Sequence, residues 1–429
     1  MRLRSFLFLS LILPLVVGVN SACSSNQTAA SIEPKAESVL NATADAEVAA
    51  AQKAIEKEPN SPAGYNRLAS VYIKRARETG DFSLNSTAEN AVNRALEIKA
   101  DDETANMIKA SLHLTFHRFN DALTLATELQ KKYPKEAFFY GVLTDANVEL
   151  GNYPAAVKAA QTMVDTKPNS SSYARVAHLR SLHGDSDGAI EMFTTAARAA
   201  NPMDKEAQSW YLVQIGEEFW KVGKYDEAEK AYDEALANFP NYYHALAGKG
   251  RVYAAKNDFD NAVKFLTDAN NRVPDVQNTI LLGDIYRKQG NEEKARQQYG
   301  LVEIIEQKLG TAGEQRQLAL LWADHGEKLD EALTIARREH ELRKDIYTAD
   351  TLAWVLYKKN QHSEAKKISA EAMRLKTKDA RILYHAGMIE NALGNKAEAK
   401  RLLDAALKLN PAFDLRQADD ARAALQQLN

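Results

Sequence analysis

Residues 215–302 read IGEEFWKVGKYDEAEKAYDEALANFPNYYHALAG (215–248), KGRVYAAKNDFDNAVKFLTDANNRVPDVQNTIL (249–281) and LGDIYRKQGNEEKARQQYGLV (282–302), three lines that nearly coincide when stacked. Gly216, Gly250 and Gly283 are 34 and 33 residues apart, and three residues after each stands Phe219, Tyr253 or Tyr286. Ala228, Ala262 and Ala295 keep the same spacing. Four residues on come Tyr232, Leu266 and Tyr299, and seven on come Ala235, Ala269 and Val302. Positions i, i+4 and i+7 share one face of an α-helix, so each line reads as two amphipathic helices. The turn between them is rich in Gly, Asn and Asp. Pro240 and Pro274 end the second helix, because a proline ring cannot continue the hydrogen-bond ladder.

The small residue that opens the second helix extends in both directions, at Ala88, Ala122, Ala156, Ala189, Ala228, Ala262, Ala295, Ala332, Ala365 and Ala399. Successive gaps are 34, 34, 33, 39, 34, 33, 37, 33 and 34 residues. Two helices cross most closely where side chains are smallest, so a bulky residue there would pry a hairpin apart. Three places break the rhythm. The first unit is expected to carry a long inter-helix turn, Glu78–Thr87. The 39-residue gap places extra residues near Asn201–Gln208, the expected subdomain joint. The 37-residue gap points to a second helix that runs on through Ile304, Ile305 and Leu309.

This period and pattern resemble the tetratricopeptide repeat, a helix–turn–helix unit of about 34 residues. The resemblance spans residues 47–412. It implies an all-α, right-handed α-solenoid of about ten such repeats with a C-terminal capping helix, 413–429, whose polar face closes the open end. The repeats divide as 45–200 and 209–412.

The start of the chain is different. Arg2 and Arg4 precede an apolar run from Phe6 to Val19, then Ser21, Ala22 and the single cysteine of the sequence, Cys23. Residues 1–22 read as an export signal. The placement of Cys23 resembles a bacterial lipobox, although Asn20 stands where an aliphatic residue is usual. That implies lipidation of Cys23 and an outer-membrane anchor facing the periplasm. The alternative is ordinary cleavage, which leaves Cys23 a plain thiol on a soluble periplasmic or secreted chain. Residues 23–44 carry no sustained apolar face and read as a flexible tether. With 55 Lys and Arg against 58 Asp and Glu, the net charge of −3 offers no basic excess for nucleic acid.

Catalytic signals are weak. Gly184-Asp-Ser-Asp-Gly188 satisfies G-x-S-x-G, but a nucleophile elbow needs a strand before it, and this stretch falls in a repeat turn. His113 and His117 stand four apart without the Glu of H-E-x-x-H or a third ligand. No phosphate loop occurs. We therefore expect no catalysis by the chain itself, no cofactor, no metal and no small-molecule substrate. The resemblance implies that first helices line a concave face where a protein or peptide partner lies. Its register places Trp210, Glu217, Trp220, Arg251, Asp284, Arg287, Trp354, Tyr357 and Tyr384 inward. The chaperone-docking carboxylate clamp of the family cannot be assembled from these positions. The leading expectation is an envelope scaffold. A regulatory subunit of an envelope enzyme and a structural spacer without a groove ligand are the alternatives.

Overall fold

The computed structural model describes residues 35–309 and 315–428. The export signal, Cys23 and residues 23–34 of the tether lie outside the described residues. Among the described residues the chain is helical throughout, with no strand. Helix α1 (Lys35–Lys57) precedes ten hairpins. The first five are α2–α3 (Pro62–Thr79, Leu84–Ile98), α4–α5 (Glu103–Thr115, Phe119–Lys132), α6–α7 (Ala137–Glu149, Tyr153–Thr166), α8–α9 (Ser170–Leu182, Ser186–Ala199) and α10–α11 (Lys205–Lys221, Tyr225–Asn238). The others are α12–α13 (Tyr243–Ala255, Phe259–Arg272), α14–α15 (Val276–Lys288, Glu292–Leu309), α16–α17 (Arg316–His325, Leu329–Leu342), α18–α19 (Ile346–Lys358, His362–Ala372) and α20–α21 (Ala380–Ala392, Lys396–Leu409). Helix α22 (Gln417–Leu428) caps the array. The all-α solenoid read from the period is the observed fold.

Local chemistry sets the helix ends. Asp102, Asn169, Asp204, Asp275, Asp345 and Asp379 precede α4, α8, α10, α14, α18 and α20, and each side chain accepts a backbone N–H of the first turn. Each hairpin then turns through a residue with positive φ, namely Gly80, His117, Gly151, Gly184, Gly223, Asn257, Gly290, Gly326, Asn360 or Gly394, and the α16–α17 turn has a second one at Lys328. All ten ladder alanines are 0% exposed. The glycines of the first helices face the bulky residues of the second. A Cβ on Gly216 would lie 2.5 Å from the Tyr232 ring and one on Gly248 would lie 2.4 Å from it, so Tyr232 fits between two backbones.

The breaks in rhythm resolve differently from one another. Helix α15 does run to Leu309. The first unit, however, has no long turn: α2 continues through the helix formers Arg75–Thr79, and only Gly80–Ser83 separate it from α3. The insertion near Asn201 is partly absorbed into α10, which has 17 residues, and Phe193 and Ala196 before it share a core cluster with Tyr211 and Ile215 after it. Helix α1 starts at Lys35, so residues 35–44 are helical rather than a tether.

The superhelix stacks on itself. The Tyr153 hydroxyl accepts from the Ile346 N–H (3.0 Å), the Lys344 N–H donates to the Glu149 carbonyl (3.2 Å), and Arg343 Nη2 pairs with Glu149 (2.5 Å). Thr377 donates to the Leu182 carbonyl, and Asn410 Nδ2 donates to the Trp220 carbonyl (2.8 Å). These partners are 193, 194, 195 and 190 residues apart for Tyr153, Glu149, Leu182 and Trp220 respectively. Hairpin turns of one superhelical turn thus rest on the loops that follow second helices one turn later. At the end of the array the cap joins this seam, where Lys288 Nζ donates to the Leu415 carbonyl (3.0 Å) and to Asp419 (2.7 Å).

Candidate functional site

Inside the superhelix lie two cavities of about 360 and 370 Å³. They meet at Glu217, Arg251, Gln277, Arg316, Gln317 and Tyr347, which line both. First helices supply most of this wall, and the segment Asn410–Leu415 supplies one side of the first cavity.

Five of the residues placed inward by the repeat register do line these cavities. Trp210 packs edge-on against Phe193 (6.2 Å) and Tyr211 (5.3 Å). Glu217 accepts the Tyr232 hydroxyl (2.8 Å) and forms an ion pair with Arg251, whose guanidinium lies 5.5 Å from the Trp220 ring. Burial pulls the Arg251 guanidinium down, but Glu217 more than offsets this and holds it above its ordinary value. Trp220 has a buried Nε1 without a protein acceptor. Asp284 accepts the Tyr299 hydroxyl (2.7 Å), and burial, with Asp414 nearby, pushes its carboxyl up to about 7.

The others sit elsewhere. Arg287 lines neither cavity, and its guanidinium lies 4.9 Å from the Tyr299 ring and 3.7 Å from Glu292. Trp354 and Tyr384 are 2% exposed and belong to the core, which corrects the inward placement. Trp354 donates from Nε1 to Asp324 (2.8 Å) and stacks on His385 (4.1 Å) and Tyr357 (4.8 Å), so these rings fill the space between α18 and α20. Tyr357 is half-buried in the same stack.

The register missed a second set. Arg316 lines both cavities and stands 3.9 Å from Asp345. Burial would raise the Asp345 carboxyl, but Arg343 and Arg316 hold it below its ordinary value. Lys221 Nζ lies 3.0 Å from Ser181 Oγ and 2.7 Å from Glu218. Such a Ser–Lys pair invites a catalytic reading, which the charges oppose. Burial lowers the Lys221 ammonium, Glu218 outweighs it, and the net shift is upward, so Lys221 is no base at neutral pH. Ser181 itself donates to Glu218 (2.6 Å). His178 and His244 are neutral, burial pulling them down to about 4 and about 3.

The weaker motifs are absorbed by turns. Ser186 is buried at the start of α9, where the Asp185 side chain caps the Gly188 N–H (3.0 Å). His117 supplies the positive-φ residue of its hairpin and stacks on Phe119 (5.6 Å). Among the described residues no helix is long and apolar enough to cross a membrane.

Residues 108–171 and 213–274 match a tetratricopeptide repeat family model, and residues 380–413 match a second model of the same repeat. No curated protein sequence matches the chain. Among solved structures, the chain is similar to the human IFIT1 dimer with PPP-AAAA, at 15% identity and TM-score 0.47, covering 81% of this chain and 90% of that one. It is similar to yeast Tom70 at 16% identity and TM-score 0.39, covering 91% and 94%. A third likeness is to PilW, a widely conserved type IV pilus biogenesis factor, at 16% identity and TM-score 0.40, covering 46% and 91%.

Proposed function

We propose that this chain of tetratricopeptide repeats is a protein-interaction scaffold of the cell envelope, which binds a protein or peptide on the inner face of its superhelix and serves the assembly of an envelope complex. The observation that supports the reading is the inner face itself. Trp210, Glu217, Trp220, Arg251 and Asp284 line connected cavities, and aromatic and arginine side chains are the usual anchors of protein interfaces. The envelope address rests on the sequence Arg2 to Cys23. Crosslinked pull-down from envelopes, comparing wild type with Trp220→Ala, tests the inner face. Loss of a partner is expected, and identical partner sets overturn the reading. Palmitate labelling that disappears in Cys23→Ala supports the anchor, and unchanged labelling removes it.

The contacts between superhelical turns favour a second reading, a stiff spacer. It predicts that envelope complexes survive Trp220→Ala but are lost when the turns are parted, for example by Asn410→Ala.

A further inference from the structure

Helix α8 puts His178 on the wall of the second cavity, α10 puts Gln214 there, α12 His244, α14 Gln277 and α16 Gln317. Five successive first helices thus each give it one hydrogen-bonding side chain that carries no charge. The five surround the space rather than stand in a row beside it. Tyr153 and Ile346, at the two ends of that superhelical turn, are bonded to each other across the seam (3.0 Å), so the helices between them close a ring. Among the described residues none of the five has a hydrogen-bond partner, and none has a polar atom sealed from the cavity. His178, Gln214, His244 and Gln317 are half-buried and Gln277 is exposed, all inside the superhelix. Asn278, only 6% exposed, adds a sixth unbonded side chain to the same wall. These polar ends open on the cavity and hold nothing in the fold.

Most charges of this wall are matched within it. Arg251 pairs with Glu217, Arg343 with Glu149 (2.5 Å) and Asp345 (3.6 Å), and Arg316 stands 3.9 Å from Asp345. His178 and His244 stay neutral because burial disfavours their charged forms. A guest that fits is uncharged and offers donors and acceptors on every side. An extended polypeptide points its N–H and C=O groups to two opposite sides only. A sugar ring carries hydroxyls all around it, and each hydroxyl both donates and accepts, as amides and neutral imidazoles do. Trp210 and Tyr347 add amphipathic aromatic surface. A volume of about 370 Å³ is in the range of sites for compact organic ligands.

We propose that this ring of neutral side chains binds a compact, uncharged saccharide, whose hydroxyls are bonded by Gln214, His244, Gln277 and Gln317. The site does not depend on the scaffold reading.

The full chain is titrated by calorimetry with maltose, cellobiose, lactose and N,N′-diacetylchitobiose. At least one should saturate a single site, with an affinity that does not change between about 50 and 500 mM NaCl, as an uncharged ligand requires. Gln277→Ala and Gln317→Ala should each weaken binding about fivefold, the loss of roughly one hydrogen bond. Neither should move the unfolding midpoint, because no described group bonds to either side chain. Gln297→Ala, exposed on α15 and outside both cavities, should change neither quantity. Saturation by none of the four sugars means that water satisfies these side chains, and it overturns the proposal. Full-strength binding in both Gln277→Ala and Gln317→Ala places the sugar elsewhere and overturns it as well. Saturation by acetyl-Ala-Ser-Gly-Ala-amide but by no sugar assigns the ring to a polypeptide, which overturns the saccharide site and leaves the scaffold reading intact.

Discussion

Gly250 packs with nothing larger than a hydrogen toward α13: a Cβ there would stand 2.5 Å from Leu266 Cγ. Gly250→Ala should therefore cost about 1–3 kcal/mol by overpacking, seen as a lower urea midpoint. Gly300 in α15 has nothing within 4 Å of the same position, so Gly300→Ala should gain about 0.5–1 kcal/mol from helix propensity and chain entropy. The spacing of the glycines was legible in the sequence; that one is a contact and the other open space was not, because both look alike until the facing helix is placed. Asp284 gives a pH signature. Its carboxyl, ordinarily at 3.8, is raised to about 7 by burial and Asp414. Between about pH 4 and pH 7 the folded chain holds a proton that the unfolded chain has lost, so stability falls as pH rises through that window. Asp284→Asn keeps an acceptor for Tyr299 and removes the charge. It should be more stable than wild type by roughly 1–3 kcal/mol at pH 8 and equal to it near pH 4, measured by denaturation at both.

At the scale of the element, the hairpin turn is the recurring device. Seven of the ten turns place Gly at the positive-φ position, two place Asn, and one places His117. A non-glycine side chain there costs about 1–2 kcal/mol, so His117→Gly should raise stability by about 1 kcal/mol, observed as a higher Tm. The small loss of its stack on Phe119 works against this gain. The His113–His117 spacing that resembles a ligand pair is thus a by-product of turn geometry. Helix and turn positions followed closely from the period of the alanines. The surplus residues did not, because a spacing counts residues without saying which element takes them. In the first unit α2 absorbs them up to Gly80, and beyond Ala200 they lengthen α10.

The whole molecule is governed by the seam, and no sequence pattern announces it. Glu149 and Arg343, or Trp220 and Asn410, lie some 190 residues apart, and nothing in either neighbourhood marks the other. The same blindness explains why Trp354 and Tyr384 look like groove residues: the register says which side of a helix they occupy, not how closely α20 approaches α18. Asn410 is 1% exposed and holds both the Trp220 carbonyl and the Tyr225 hydroxyl. Asn410→Ala removes both bonds across the seam, and since the Trp220 carbonyl keeps the Gly223 N–H (3.0 Å), the loss should cost about 1–2 kcal/mol in all. Hydrogen exchange should quicken at residues 220–225 and 410–413 while the first repeats keep their protection. Unchanged exchange there would show that the turns stay joined by other contacts.

Stacked turns also alter what controls departure from the interior. On an open groove a ligand lifts off sideways, and its residence time tracks its own affinity. Behind a seam, an occupant leaves by the ends of the superhelix or through a breach between Glu149–Arg343 and Trp220–Asn410, whose opening cost belongs to the protein. Occupants that differ widely in affinity would then share one slow escape rate, and weakening the seam would quicken them all alike.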